Sequence, residues 1–255
     1  MRVRCWRLSS TSKPSARSRP VRAVLVALAA AYPDAATALV FSTPWQLLVA
    51  TVLSAQCTDA RVNRITARLF PECPDAVAMA ALSVEDLEAR VFDCGLYHAK
   101  ARHLAAASRV VVDKWGGDLP TRIRREELEA LPGVGRKTAS VVLANAYGVP
   151  ALAVDTHVFR VAHRLGWSGA KDADHTADDL CRLIPQRHWV RAHHQLIGHG
   201  RQICHARRPA CDRCVLARWC PRLGVDVERA AAPRAAAPSR SAAPAQEVPF
   251  PLDKS

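Results

Sequence analysis

The sequence predicts an all-α protein, and three observations carry that expectation. Apolar residues recur at helical spacing in one segment after another. No stretch sustains the alternation of a half-buried strand. The breaks between segments fall at Gly, Pro and capping residues. The chain of 255 residues is long enough for one sizeable core or two small ones.

The elements follow in order. Residues 1–20 are rich in Arg, Ser and Pro and poor in apolar residues, so a disordered basic tail is expected. A helix near Arg22 to Ala31 comes next. Its apolar run after a basic start imitates a secretion signal, but no small-residue cleavage site precedes Tyr32-Pro33-Asp34. An organellar presequence is the alternative reading of the acid-free start. Ser42-Thr43-Pro44 supplies a cap with Pro at the first helical position, and Leu47, Leu48, Thr51, Val52 and Ala55 form the apolar face behind it. Gln56 to Asp59 breaks that helix and caps a third, which ends near Pro71. Ser83 with Asp86 is a capping-box variant for a helix to about Phe92. Cys94-Gly95-Leu96-Tyr97 reads as a turn. Lys100 to Lys114 is helical up to Gly116-Gly117, and Thr121 to Ala130 is a charged helix. Beyond these lie helices at His157 to Leu165, Asp174 to Leu183 and Trp189 to His199. Residues 226–255 hold Ala, Pro, Arg and Ser with little to bury, a second disordered tail.

Charge narrows the partners. The chain carries 36 Lys and Arg against 23 Asp and Glu, a net +13. Seven of the basic residues lie within positions 2–22, and the remainder is still +6. Such a surplus favours nucleic acid ahead of an anionic membrane. No stretch approaches the ~20 apolar residues that a membrane span needs, so no membrane partner is expected.

One stretch stands out, Leu131 to His157, LPGVGRKTASVVLANAYGVPALAVDTH. A Gly133-Val134-Gly135 turn meets a helix N-terminus, where free N–H groups favour an anion such as phosphate. It is not a nucleotide-binding P-loop, because Arg136 separates Gly135 from Lys137 and position 130 is Ala. The helix stops near Gly148-Val149-Pro150, and a short apolar connection delivers Asp155. By itself the pattern fits a tight turn with a surface lysine as well as it fits a catalytic site.

Nine cysteines are unevenly spread. Cys5, Cys57, Cys73, Cys94 and Cys181 are scattered, while Cys204, Cys211, Cys214 and Cys220 crowd together with six, two and five residues between them. The pattern suggests a reducing compartment and one metal centre rather than a disulfide framework. The candidates are tetrahedral zinc and a [4Fe–4S] cube. A single C-x2-C pair flanked by lone cysteines favours the cube. Residues 201–222 also carry six arginines against Asp212 alone, so the loop can present charge to phosphates.

These features coincide in one family. LPGVGRKTA followed by VDTH resembles the helix-hairpin-helix and catalytic aspartate segment of the endonuclease III family of DNA glycosylases. The cysteine spacing is that of the family's [4Fe–4S] loop, and LSAQCTD (Leu53 to Asp59) and GLYHAK (Gly95 to Lys100) resemble two further family segments. The resemblance covers roughly residues 22–223. It implies two helical domains: a six-helix barrel with the helix-hairpin-helix over 37–149, and a cluster domain joining 21–36 to 150–225. It implies a [4Fe–4S] cofactor on Cys204, Cys211, Cys214 and Cys220.

The same resemblance implies a bifunctional DNA glycosylase and abasic-site lyase of base excision repair. Its partner would be double-stranded DNA with damaged pyrimidines or abasic sites, and the protein a cytoplasmic, nucleoid-associated bacterial monomer. Lys137 would be the nucleophile, since an amine that attacks C1′ leaves an iminium that water cannot, and so permits strand cutting by β-elimination. Burial, the helix N-terminus and Arg136 are expected to favour its neutral form. Asp155 before Thr-His is ordinarily an N-cap, and the resemblance adds a carboxylate that assists Lys137. Gln56 would fill the gap left by a flipped nucleotide and Leu96 would wedge between bases. Gly133 and Gly135 would meet a phosphate, with Arg136 and His157 near the same backbone. Cys57, inside LSAQCTD, is a small residue open to oxidation beside DNA. The alternatives are pyrimidine-dimer or mismatch excision within the superfamily, and a non-catalytic DNA-binding module with a structural metal. The mismatch branch that removes adenine normally lacks the lysine and adds a C-terminal domain, for which the tail after Leu223 is too short.

Overall fold

The computed structural model describes residues 20–226, all of them helix, turn or irregular chain with no strand. Cys5, most of the basic start and nearly all of the Ala/Pro-rich end lie outside the described residues. Eleven α-helices are present among the described residues: α1 (Val21–Ala31), α2 (Pro44–Leu53), α3 (Asp59–Glu72), α4 (Ala76–Ala80), α5 (Val84–Val91), α6 (Tyr97–Trp115), α7 (Arg125–Glu129), α8 (Arg136–Ala146), α9 (Thr156–Arg164), α10 (Ala173–Leu183) and α11 (Trp189–Gln202). None is long and apolar enough to cross a membrane.

Local chemistry starts most of them. Thr43 accepts from the Gln46 N–H at 3.1 Å with Pro44 at the first helical position, and Thr58 caps α3 through Arg61. Ser83 Oγ accepts from the Asp86 N–H at 3.0 Å and donates to its carboxylate at 2.7 Å, so Ser83 caps α5 as expected while the Asp86 carboxylate meets the Ser83 hydroxyl and not the Ser83 N–H that a capping box would use.

Three boundaries differ from the sequence expectation. Helix α4 was not foreseen: it has five residues, too few to show a period, and depends on Asp75 accepting from the Ala78 N–H at 2.8 Å. Helix α6 begins at Tyr97 because Leu96 enters it in left-handed backbone, φ 60°. Helix α7 is only Arg125–Glu129. Residues 121–124 stay irregular after Pro120, with Ile123 buried and Glu127 turned back to accept from the Arg124 N–H at 3.0 Å.

Apolar side chains gather in two clusters. The first draws on α2 to α8, from Leu39 to Ala151. Nine of the ten residues of α2 are buried, so this helix is the centre of that cluster and packs on α8. The second joins Val24, Leu25 and Leu28 of α1 to residues between Leu152 and Leu216. There α1 and α9 both pack on α11. The chain passes from one cluster to the other at Ala151-Leu152, on the short connection between α8 and α9.

Candidate active site

The Gly133 turn is built for close approach. Gly133 has φ 77°, and a Cβ there would stand 2.6 Å from His103 Cβ, so no other residue fits without displacement. Gly135 precedes α8, and no side chain caps that helix, which leaves its first-turn N–H groups open. Both glycines are exposed.

Lys137 is the second residue of α8 and is exposed. The burial expected around it is therefore not there. Arg136 also departs from expectation. Its guanidinium crosses to α10, donating to Asp178 Oδ1 and standing 3.9 Å from Asp174 Oδ1. Two carboxylates compensate its charge, so Arg136 ties α8 to α10 rather than facing a phosphate.

Asp155 is an N-cap. Its Oδ1 accepts from the His157 N–H at 2.9 Å and the Val158 N–H at 2.8 Å. Both bonds fall on one oxygen, and Oδ2 takes no hydrogen bond among the described residues. His193 of α11, a residue the sequence did not single out, feels the charges of both Lys137 and Asp155. Burial, then neighbouring His194, pushes the His193 imidazole down to about 4; the Asp155 charge opposes that shift and the Lys137 charge adds to it. The neutral ring's Nδ1–H donates to Ala153 O at 2.8 Å, on the connection that delivers Asp155. His157 is half-buried, its ring 3.2 Å from an Arg160 nitrogen and packed on Gly200.

The Gln56 and Leu96 turns lie side by side. Gln56 has φ 53° and Leu96 φ 60°; both are exposed, Leu96 by 58%. A Cβ on Gly95 would sit 3.3 Å from Gln56 O. A second unforeseen residue secures them. Lys100 is 4% exposed, and its ammonium donates to Leu53 O at 2.9 Å, Ala55 O at 2.5 Å and Cys94 Sγ at 3.0 Å. It thus satisfies the orphan carbonyls at the end of α2.

The four late cysteines line one cavity with Val161, Leu165 and Leu216. Yet no three His, Cys, Asp or Glu side chains among the described residues are drawn together as a single ion would need. Tetrahedral zinc holds its sulfurs about 2.3 Å from one ion. A cube binds each thiolate at a different iron, so the sulfurs stand apart around a cavity, and the residues fit that group. Arg164, unforeseen and buried, fastens the loop. It donates to Cys204 Sγ at 3.2 Å, His205 O at 2.6 Å and Ala206 O at 2.7 Å. Arg160 adds a bond to Cys204 O at 2.9 Å.

Comparison with known proteins agrees with this arrangement. Residues 49–186 match the model of the HhH-GPD superfamily of base excision DNA repair proteins, and residues 204–220 match that of the iron-sulfur binding domain of endonuclease III. An endonuclease III from Synechocystis is 44% identical over 210 residues, covering 82% of this chain and 95% of the relative. The chain belongs to the endonuclease III family. An Escherichia coli endonuclease III is 43% identical over 188 residues, covering 74% of this chain and 88% of the relative. Among solved structures, an endonuclease III trapped as a covalent intermediate with DNA superposes with a TM-score of 0.75 at 43% identity, over 79% of this chain and 94% of that one. As a member of the family, the chain is a DNA glycosylase and abasic-site lyase of base excision repair with a [4Fe–4S] cluster.

The residues missed by sequence share one signal. Lys100, Arg164 and His193 each sit on the apolar stripe of their helix, among buried Leu104, Val161 and Leu196 respectively. A polar group at such a position must be hydrogen-bonded.

Proposed function

We propose that this protein removes oxidised pyrimidines from double-stranded DNA through Lys137 and cuts the strand 3′ to the resulting abasic site. What supports the reading is one exposed amine, Lys137, in the first turn of α8, and one half-buried carboxylate, Asp155, capping α9, whose charges both bear on the neutral His193. The Lys137 Nζ lone pair attacks C1′, and the C1′–N bond to the damaged base breaks. Ring opening gives an iminium; water takes the C2′ proton, a C2′=C3′ double bond forms, and the C3′–O bond breaks as the 3′-phosphate leaves with the downstream strand. Asp155, with Oδ1 engaged as a cap, steadies positive charge on the sugar while ionised, then takes the amine proton on Oδ2 and passes it to the departing base. The trapped covalent endonuclease III–DNA intermediate, 43% identical, supports the covalent route.

The Gly133 and Gly135 N–H groups and His157 hold the backbone of the damaged strand. Gln56 fills the vacancy of the flipped nucleotide and Leu96 wedges between bases; both side chains are already exposed. The two apolar clusters support a division into two domains, 37–149 and 21–36 with 150–225, although Ala151 still packs in the first cluster, and the site lies near the crossing between them. The protein acts as a monomer in the bacterial cytoplasm at the nucleoid.

The cluster, when bound, supplies a rigid scaffold for its loop. Arg164 and Arg160 hold that loop, and Arg207, Arg208, Arg213 and Arg218 are exposed on it for DNA phosphates. Duplexes containing thymine glycol or an abasic site test the reading: both are nicked, and borohydride traps the protein on the abasic one. Trapping that survives Lys137→Gln would refute it.

A further inference from the structure

The turns that carry Gln56 and Leu96 each contain a cysteine that no part of the repair reaction uses. Cys57 follows Gln56 directly and is half-buried; Cys94 stands two residues before Leu96 and is 1% exposed. The turns touch through Gln56 O and Gly95. Both thiols are unbridged, and the Cys57 side chain lies near enough to raise the Cys94 thiol. The Cys94 thiol is fixed on its other sides, donating to Leu53 O at 3.0 Å and accepting from the Lys100 ammonium at 3.0 Å. The four cluster cysteines lie elsewhere, lining one cavity with Val161, Leu165 and Leu216.

We propose that Cys57 and Cys94 form a peroxide-sensitive dithiol whose disulfide reversibly cross-links the two turns and slows the enzyme. The effect on the enzyme rests on the proposed roles of Gln56 and Leu96; the bond itself does not. The half-buried Cys57 thiolate attacks one oxygen of hydrogen peroxide, the O–O bond breaks, and water leaves as Cys57 becomes a sulfenic acid. Cys94 then attacks the Cys57 sulfur. The S–S bond forms, the S–O bond breaks, and the hydroxide leaves as water with the Cys94 proton. Two thiols and one peroxide give one disulfide and two waters. Lys100 donates to Cys94 Sγ and steadies charge on it during attack, while burial pushes the Cys94 thiol up and leaves Cys57 as the first to react. A disulfide brings the sulfurs to roughly 2.05 Å, closer than two unbonded thiols can stand, so the turns must shift. A misplacement of about 1 Å at a reacting site can cost on the order of a hundredfold.

The test treats the cluster-loaded protein with hydrogen peroxide, blocks remaining thiols with N-ethylmaleimide and maps the digest by mass spectrometry. Cluster absorbance is followed in parallel. A Cys57–Cys94 peptide is expected, with abasic-site nicking slowed roughly tenfold or more while the cluster is intact, and both are reversed by dithiothreitol. Cys57→Ala should keep its nicking rate under the same dose. No linked peptide, or Cys94 joined to Lys100 instead, would overturn the proposal, as would a linked protein that nicks at the reduced rate. Reduced protein that nicks nothing would count against the repair reading alone, since the peptide map is read without DNA.

Discussion

Replacing Lys100 with Met removes the ammonium that closes α2 and keeps most of the apolar stem. Three contacts are lost, to Leu53 O, Ala55 O and Cys94 Sγ. A hydrogen bond from a charged donor contributes roughly 1.5–3 kcal/mol. Leu53 O retains the Cys94 thiol as donor, so Ala55 O suffers the larger loss. Part of the cost is offset because no buried ammonium has to be desolvated. The net destabilisation expected is about 2–3 kcal/mol, read as a lower urea midpoint at unchanged slope. The Ala55 bond also holds the chain just before Gln56 in its left-handed conformation. Affinity for an abasic duplex should therefore fall about tenfold, some 1.4 kcal/mol. Borohydride trapping at saturating DNA should persist, because Lys137 is untouched. A midpoint change equivalent to less than about 0.5 kcal/mol, with unchanged affinity, would refute the view that Lys100 organises these turns.

Asp155→Asn should cost less than about 1 kcal/mol of stability, because Asn caps a helix as well as Asp. It should slow nicking by about a hundredfold or more; full activity in single-turnover assays would leave Asp155 a cap only. His193 titrates at about 4 in the folded chain, below its unfolded value. Between that value and about 6.5 the unfolded chain binds the extra proton, so this stability is present at neutral pH and lost as pH falls. The loss is about 2 kcal/mol by pH 5, and urea unfolding of His193→Asn should lack it; parallel profiles for the two proteins would contradict the burial argument. Arg164→Met removes the donors to Cys204 Sγ, His205 O and Ala206 O. The variant should lose cluster absorbance faster than the parent under a chelator.

Legibility in the sequence followed what local chemistry decides. Thr43-Pro44, Thr58 and Ser83 announced their helices because a cap is a contact between near neighbours. The cysteine spacing announced a metal centre because its ligands lie within one loop. What the sequence concealed depends on contacts distant in the chain. Lys100 meets Leu53 across 47 residues and Arg164 meets Cys204 across 40. Arg136 looked like part of a basic, phosphate-facing turn, and only the arrival of α10 with Asp174 and Asp178 redirects it. Lys137 looked buried because apolar residues follow it, yet its place in the first turn of α8 leaves it in water.

The backbone conformation points to the same surfaces as the side chains. Three non-glycine residues among those described have positive φ: Gln56, Leu96 and Arg222. Left-handed backbone costs such residues roughly 1–2 kcal/mol each, and it persists only where surrounding bonds impose it. At Gln56 and Leu96 those bonds come from Lys100, which grips the end of α2 from the first turn of α6. At Arg222 the N–H donates to Cys220 Sγ at 3.4 Å, so the cluster loop imposes it. The first two side chains gain no burial in return, since both stay exposed. Their strain is compensated elsewhere in the fold and therefore holds them in place before any partner arrives. On the proposed roles of the two residues, a duplex with a flipped nucleotide would offer the missing compensation: an empty place in the stack for Gln56 and an apolar step for Leu96. On that reading the order of events is set by the free protein, with the two turns ready and the DNA supplying the deformation. The inward-turned Arg136 acts alike, holding α8, and with it the Gly133 turn, against α10.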